Sequence, residues 1–409
     1  MSVENYYKSH GFKLINIDVF FSTLSVFAML FVIPIIFEIG PLKPIKEAIA
    51  DFNITDVYFS KILPDTDPPR ETDIVIVNTG VNTKNGFKEL SDVNYAQIVN
   101  KILPEAPSVI GIDHEFTISE DNPKYEIIAQ IFSQSEDIIF SSKFDAEEGE
   151  NTFVNQFATG FEEVLLVENK KYNSVRAFNP YFIRNQDTIY NYAVELARIY
   201  NPDAVIRFLK RKNEKETINY LGDWQQYDII NATQLFKGDY PEDFFTDKIV
   251  MLGVVDTSAA SDEFARMYYT PLNETTAGKT FPDMYEIVLH ANIVSMLLTD
   301  EYFFTSPIWL APLVAFVICY FNMILFGYVG YKNAKWYEIV ALGTFVAETL
   351  FIAWLTIVLF YSYRFELNLT LTIIAAAVSI PVFELYTDTF KPTILFAFNF
   401  IFKRNKKLA

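Results

Sequence analysis

The residues that could do chemistry in this chain lie close to the ends of predicted strands. Asp113, His114 and Glu115 follow one another in the stretch SVIGIDHEF. Neighbouring side chains on a strand point to opposite faces of the sheet, so His114 should point away from both carboxylates. A metal ion at this triplet would need ligands from elsewhere in the chain. We therefore expect no metal and no cofactor.

A second polar group follows the apolar stretch DKIVMLGVV. Asp262 and Thr270 lie in and after the turn that leaves this predicted strand, at the end where α/β sheets usually place ligands. We predict that Asp113, Asp262 and Thr270 contribute to a ligand-binding site. The alternative is a structural role, because loop carboxylates and hydroxyls often bond to backbone N–H groups.

His290, one of only three histidines, lies in the stretch MYEIVLHANIVSMLL. As a helix, residues 284–298 place apolar side chains on one face and His290 at the edge of that face. A histidine there can tie the helix to a sheet through a hydrogen bond. It can also bind a ligand or sense pH, because its ordinary pKa is about 6.5. We include His290 among the candidate ligand-binding residues and keep the structural role as the alternative.

The sequence lacks the usual signatures of catalysis. It has no G-x-S-x-G, no H-E-x-x-H and no Walker A loop, and its single cysteine, Cys319, lies in an apolar run. It carries 51 Asp and Glu against 33 Lys and Arg, which argues against binding nucleic acid through charge. We assign no catalytic residue and expect a non-enzymatic protein.

Four segments are long and apolar enough to cross a bilayer, which takes roughly 20 helical residues. They cover residues 19–38, 308–330, 338–361 and 367–387. The first is too long for a signal-peptide core and has no small-residue cleavage site, so we interpret it as an uncleaved anchor. Pro381 predicts a kink in the last segment.

Basic residues flank these segments on one side. Lys8 and Lys13 precede the first segment, Lys332 and Lys335 follow the second, and five Lys and Arg residues follow the last. By the positive-inside rule, both termini should be cytoplasmic, and residues 39–305 should be periplasmic, at a bacterial inner membrane. The predicted organisation is a leader (1–18), an anchor (19–38), an extracytoplasmic domain (39–305), a three-helix bundle (306–387) and a basic tail (388–409).

The extracytoplasmic segment alternates between strand and helix patterns. DIVIVNT reads as a buried strand, DVNYAQIVNKIL as a helix, and SVIGIDHEF, PKYEIIAQIFSQ and DIIFSSKF as strand, helix and strand. Strands separated by helices predict an α/β domain with a largely parallel sheet. Residues 145–180 are acidic and weakly patterned, and we predict an insertion or a long loop there.

The order of these stretches resembles CHASE2 domains, the extracytoplasmic sensory modules of bacterial receptors, over about residues 39–387. The matching features are the D-K-I-V-x-x-G strand, the segment from Asp262 to Thr270, and the H-A-N triplet that begins at His290. There are two departures. His114 and Glu115 replace residues that are more often apolar, and Met284-Tyr285 replace a usual glycine.

The resemblance implies a sensory domain followed by three membrane helices. Such receptors usually continue into a cytoplasmic output domain, whereas this sequence ends soon after its last apolar segment. We therefore expect a protein that senses or scaffolds within a larger inner-membrane complex. Its partners would be other membrane proteins or a separate output protein, and an oligomer is compatible with this. The alternative is a stand-alone receptor for an unknown extracytoplasmic small ligand, signalling through a separate cytoplasmic partner.

Glu348 lies near the middle of the third apolar segment. A charged carboxylate there costs several kcal/mol unless it is protonated or paired. Asn322 and Thr372 are the plausible partners within the chain. Packing inside the bundle, contact with a partner subunit and proton handling are all open. We predict that Glu348 contacts a partner.

Overall fold

A computed structural model of the chain describes residues 17–37, 53–63, 72–83, 86–142, 153–154, 157–161, 164–165, 174–184, 186–255, 267–273 and 281–393. The chain divides into two compact units. We call Asp51–Phe303 the sheet unit. The helix unit combines Met1–Ala50 with Phe304–Ala409.

Helices and strands are numbered here in chain order. The α-helices are α1 (Ile17–Phe37), α2 (Asp92–Ile102), α3 (Tyr125–Phe132), α4 (Tyr192–Tyr200), α5 (Pro202–Leu209), α6 (Ala232–Lys237), α7 (Glu286–Thr299), α8 (Leu310–Lys332), α9 (Tyr337–Tyr363) and α10 (Thr370–Leu385). The strands are β1 (Ile74–Asn78), β2 (Gly80–Thr83), β3 (Gly86–Glu89), β4 (Val109–Ile112), β5 (Ile138–Ser142), β6 (Ala158–Phe161), β7 (Val164–Leu165), β8 (Ala177–Phe178), β9 (Tyr181–Arg184), β10 (Asp187–Tyr190), β11 (Glu216–Thr217), β12 (Asp228–Asn231), β13 (Ile249–Gly253), β14 (Met267–Tyr268), β15 (Met284–Tyr285), β16 (Phe304–Thr305) and β17 (Phe365–Glu366).

The sheet unit is built on a six-stranded sheet in the order β12-β1-β13-β4-β5-β6. Every pair of neighbours in it is parallel. The central strands β1 and β13 are buried along their whole length. A parallel sheet is covered on both faces, which explains why IVIVN and IVMLG are uninterrupted hydrophobic runs. The predicted parallel α/β fold is confirmed.

Helices cover both faces of this sheet. Val75 and Val77 of β1 share one buried core with side chains of α2, α3 and α6. The helices α4 and α7 pack on the opposite face, over β4–β6 and β13 respectively. Gly253 lets α7 approach closely, because a Cβ at this position would come within 2.7 Å of Ile287 Cβ. The connections after β1 and β13 therefore lead to opposite faces of the sheet.

Strand β6 corrects the prediction for residues 145–180. This stretch was expected to be an insertion or a loop, but Ala158–Phe161 extends the parallel sheet beside β5. A strand of four residues that includes a glycine shows no clear alternation of apolar and polar side chains. The sequence pattern therefore did not predict it. Gly160 is needed because a Cβ there would come within 2.9 Å of the Tyr192 backbone nitrogen.

The helix unit contains three helices that are long and apolar enough to cross a membrane: Leu310–Lys332, Tyr337–Tyr363 and Thr370–Thr393. Four were expected, and the fourth is not confirmed. The helix α1 forms where the anchor was predicted, but its apolar part among the described residues, Asp18–Val32, is shorter. Buried side chains of α1, α8 and α10 share one core, and Tyr337 and Ala341 at the start of α9 belong to it as well. The helix α9 is nevertheless the least buried of the three long helices.

Candidate functional site

Asp113 immediately follows β4, at the carboxyl end of the parallel sheet. Its side chain is buried, and its Oδ1 accepts a hydrogen bond from Ser141 Oγ at 3.2 Å. Its backbone N–H donates to the carbonyl oxygen of Leu252 in β13. The end of β4 is therefore tied to both neighbouring strands. Asp113, which the sequence placed within a longer strand, lies just beyond the end of β4.

Further buried polar side chains line the same edge, which we call the carboxyl edge. Asn78 and Thr79 come at the end of β1. Asn78 Oδ1 accepts hydrogen bonds from the N–H groups of Gly80, at 2.8 Å, and of Val255, at 3.0 Å. The connections that leave β1 and β13 diverge to opposite faces here, and such a point is where open α/β sheets bind ligands.

His114 bridges two carboxylates that the sequence did not connect with it. Its Nδ1 lies 2.6 Å from Glu89 Oε1, and its Nε2 lies 2.8 Å from Asp92 Oδ1. The prediction that His114 points away from Asp113 and Glu115 assumed that all three residues lie on a strand, but β4 ends at Ile112. Asp92 is the first residue of α2, and this helix begins at the carboxyl edge. The position of Asp92 at a predicted helix start was the only indication in the sequence that it could lie near His114.

Tyr95 completes this group. Its ring stacks on His114 with centroids 4.1 Å apart, its hydroxyl donates to Glu89 at 2.7 Å, and Thr79 Oγ1 lies 2.7 Å from that hydroxyl. Burial, together with the charge of Glu89, raises the pKa of Tyr95 well above its ordinary value. Tyr95 is therefore a neutral donor that connects β1, β3 and α2. None of these contacts was predicted.

Thr270 belongs to a different cluster. It is buried, and its N–H donates to Asp283 Oδ1 at 2.8 Å while its hydroxyl donates to the other carboxylate oxygen. Asn273 also donates to Asp283. Burial raises the pKa of Asp283 to about 6, although the hydrogen bonds from Thr270 and Asn273 act to lower it. Asp262 lies outside the described residues.

His290 lies in the middle of α7. It was expected at the edge of an apolar face, but α7 is buried on every side from Glu286 to Leu297. The ring of His290 meets that of Tyr192 edge to face, with centroids 5.1 Å apart. Ring packing is thus the observed contact of His290, and its ligand-binding role stays a prediction. Asp113, Thr270 and His290 thus have different partners on different elements.

Asn292 belongs to the same H-A-N triplet as His290 and joins α7 to a distant part of the chain through hydrogen bonds. Its Nδ2 donates to the carbonyl oxygens of Gly222 and Val288, both at 2.9 Å. Its Oδ1 accepts from the N–H groups of Leu221, at 2.6 Å, and Gly222, at 3.2 Å. Buried polar groups are normally hydrogen-bonded in this way, and the result is that α7 holds the chain around Gly222.

Glu348 has a partner within the bundle. Asn322 of α8 donates to Glu348 Oε2 at 3.0 Å, and the Asn322 side chain is itself buried. Asn322 was one of the two partners that the sequence offered. Glu348 is only half-buried on α9, and its carboxyl group can still accept further hydrogen bonds.

Comparison with known families gives one match, in which residues 27–330 fit the CHASE2 domain. The match begins within α1 and ends within α8, and it covers more than half of the chain. No curated protein and no solved structure matches the chain. The resemblance seen in the sequence is confirmed, and three helices able to span a membrane accompany the domain. The chain therefore belongs to the CHASE2 family, as a membrane protein with a CHASE2 sensory domain.

Proposed function

We propose that this protein is a non-enzymatic membrane sensor that works within a larger complex. In this proposal the sheet unit binds an extracytoplasmic small molecule at the carboxyl edge, and the helix unit passes the bound state to other membrane proteins. The observation that carries the proposal is the set of buried polar side chains at this edge, with Asp113 at its centre.

The chemistry of Asp113 supports binding of a hydrogen-bond donor. A carboxylate offers about four lone-pair sites, and burial makes each hydrogen bond to it more valuable. Ser141 supplies one donor. A ligand with a hydroxyl or amino group could donate to this carboxylate, and the diverging connections after β1 and β13 mark this end of the sheet as a typical ligand position.

The distribution of basic residues supports placing the sheet unit outside the cytoplasm. Lys332 ends α8, Lys335 lies between α8 and α9, and Lys391 follows α10, whereas Arg364 is the one basic residue between α9 and α10. Under the positive-inside rule, the α8–α9 loop and the tail are then cytoplasmic, at a bacterial inner membrane. If α1 also spans, the N-terminus is cytoplasmic as well.

A test of ligand binding uses the full chain purified from its own membranes in mild detergent. Native mass spectrometry should detect a bound small molecule on the wild type. The variant Asp113→Asn should reduce its occupancy about tenfold, because a hydrogen bond to a charged group contributes about 1.5–3 kcal/mol.

The matched control is Asp137→Asn, which changes an exposed aspartate at the amino end of β5 and should leave occupancy unchanged. A small molecule that is retained equally in Asp113→Asn contradicts the site. If the wild type instead co-purifies only with proteins, and these proteins cover Asp113, the result contradicts sensing and supports a scaffold.

A further inference from the structure

His114 connects three separate elements of the carboxyl edge. It belongs to the loop that follows β4, and its two carboxylate partners come from the β2–β3 hairpin, through Glu89, and from the first turn of α2, through Asp92. Its ring is sandwiched between Tyr95, stacked at 4.1 Å, and Phe116, which meets it edge-on at 4.7 Å. The imidazole thus bonds the hairpin and α2 to this loop simultaneously.

These contacts require a protonated imidazole. An ionised carboxylate only accepts hydrogen bonds, and a neutral imidazole has only one N–H to donate. Glu89 already accepts from the Tyr95 hydroxyl, which in turn can accept from Thr79. With carboxylates facing both ring nitrogens, both must carry protons.

In the described part of the chain, the titratable side chains in contact with His114 are two carboxylates and a phenol. Glu89 faces it from the hairpin, Asp92 and Tyr95 face it from α2, and Asp113 precedes it in its own loop. Loss of the proton would leave one ring nitrogen with its lone pair against a carboxylate at less than 3 Å. That contact would change from attractive to repulsive.

We propose that His114 is a pH-sensitive latch, which as imidazolium fastens the β2–β3 hairpin and the start of α2 to the loop after β4 and which opens when it loses its proton. This goes beyond the proposed function, because the latch needs no bound ligand. Its position next to Asp113 means that opening it would loosen the carboxyl edge itself.

The direction of the response follows from the pKa shifts. Burial acts to lower the pKa of His114, but its hydrogen bonds and charge interactions with Asp92 and Glu89 outweigh burial and raise it. Stabilisation by the latch is therefore complete below the ordinary value of about 6.5 and is lost as pH rises through the higher folded value. Burial acts to raise the pKa of Asp92, but His114 outweighs it and lowers that pKa, so the latch also weakens in strong acid. The latch is therefore closed below the folded pKa of His114 and opens as pH rises through it.

The protonation of His114 can be measured directly, because the chain contains only three histidines. The full chain in detergent, labelled with ¹³C at histidine Cε1, should give three resonances, and His114→Gln identifies one by its loss. We expect the His114 resonance to titrate above the ordinary value. Asp92→Asn should move this titration to lower pH. A His114 resonance that titrates at or below the ordinary value overturns the proposal.

Opening is measured by amide hydrogen exchange across the same pH range, corrected for the intrinsic pH dependence by reference to β13. In the wild type, exchange in the β2–β3 hairpin relative to β13 should rise about tenfold on passing through the His114 titration, as expected for one charge-assisted hydrogen bond. In His114→Gln it should be fast at all pH values. If that variant does not fold, Asp92→Asn should shift the rise to lower pH. Hairpin exchange that does not change through the wild-type titration contradicts a latch.

Discussion

Asn292 fixes the loop around Gly222 to α7 by a set of hydrogen bonds in which both ends of one amide group take part. Such a group is costly to remove, because each buried partner left without a hydrogen bond loses about 1–3 kcal/mol. At the residue scale, the H-A-N triplet therefore works through Asn292 as a clamp. His290 beside it contributes ring packing against Tyr192.

Asn292→Ala should lower the free energy of unfolding of the sheet unit by about 2–4 kcal/mol, because it leaves the N–H groups of Leu221 and Gly222 without their acceptor. Urea denaturation followed by limited proteolysis of the sheet unit measures this. Asn122→Ala, at an exposed turn, is the control and should cost less than about 1 kcal/mol. Equal stability of the two variants would contradict the clamp.

At the element scale, the hydrophobic pattern predicted the buried strands and the long helices. The strands β1 and β13 and the helix α2 were predicted close to their observed bounds, because uninterrupted runs and 3.6-residue periodicity are strong signals. Strand β6 was missed because four residues carry little pattern. Asp113 was placed within a longer predicted strand, whereas β4 ends one residue before it, and its side-chain neighbours were not predicted.

The His114 contacts could not be predicted, since they join residues 22 and 25 positions apart. Only the packing of the hairpin and of α2 on the sheet brings Glu89 and Asp92 to the imidazole. A sequence pattern predicts which face of one helix or strand is buried. The His114 cluster depends instead on the relative positions of the hairpin, of α2 and of the loop after β4. The same limit applies to Thr270 and Asp283, which are joined across the β14–β15 pair.

The helix α9 allows a test of the proposed partner contact at Glu348. Glu348→Leu should insert normally but co-purify with about tenfold less partner protein, because polar contacts between membrane helices contribute about 1–2 kcal/mol. Glu348→Gln should have a milder effect, since it keeps hydrogen bonding without the charge. Quantitative mass spectrometry of proteins recovered with a tagged chain provides the measurement.

Asn322→Leu is the matched variant for Glu348, because it removes the partner within the bundle and leaves the carboxyl group in place. A contact with another protein predicts that Asn322→Leu retains most of the partner. If Asn322→Leu and Glu348→Leu lose stability equally and neither loses partner, Glu348 serves only to pack α8 against α9.

At the scale of the whole molecule, the chain combines a CHASE2 domain with helices that can span a membrane. Its sensory role depends on which side of the membrane each part occupies. The basic residues of the α8–α9 loop predict one arrangement. A cysteine at Lys8 would test whether α1 crosses as well, since an N-terminus on the cytoplasmic side requires that it does.

The most direct test of the extracytoplasmic sensor is labelling of single cysteines in intact cells with a membrane-impermeant maleimide that reaches the periplasm. In a Cys319→Ala background, one cysteine replaces Lys210, exposed after α5, and another replaces Lys335, exposed between α8 and α9. We predict that Lys210→Cys is labelled in intact cells and that Lys335→Cys is labelled only after the membrane is permeabilised. Labelling of Lys335→Cys in intact cells, with Lys210→Cys protected until permeabilisation, would contradict it.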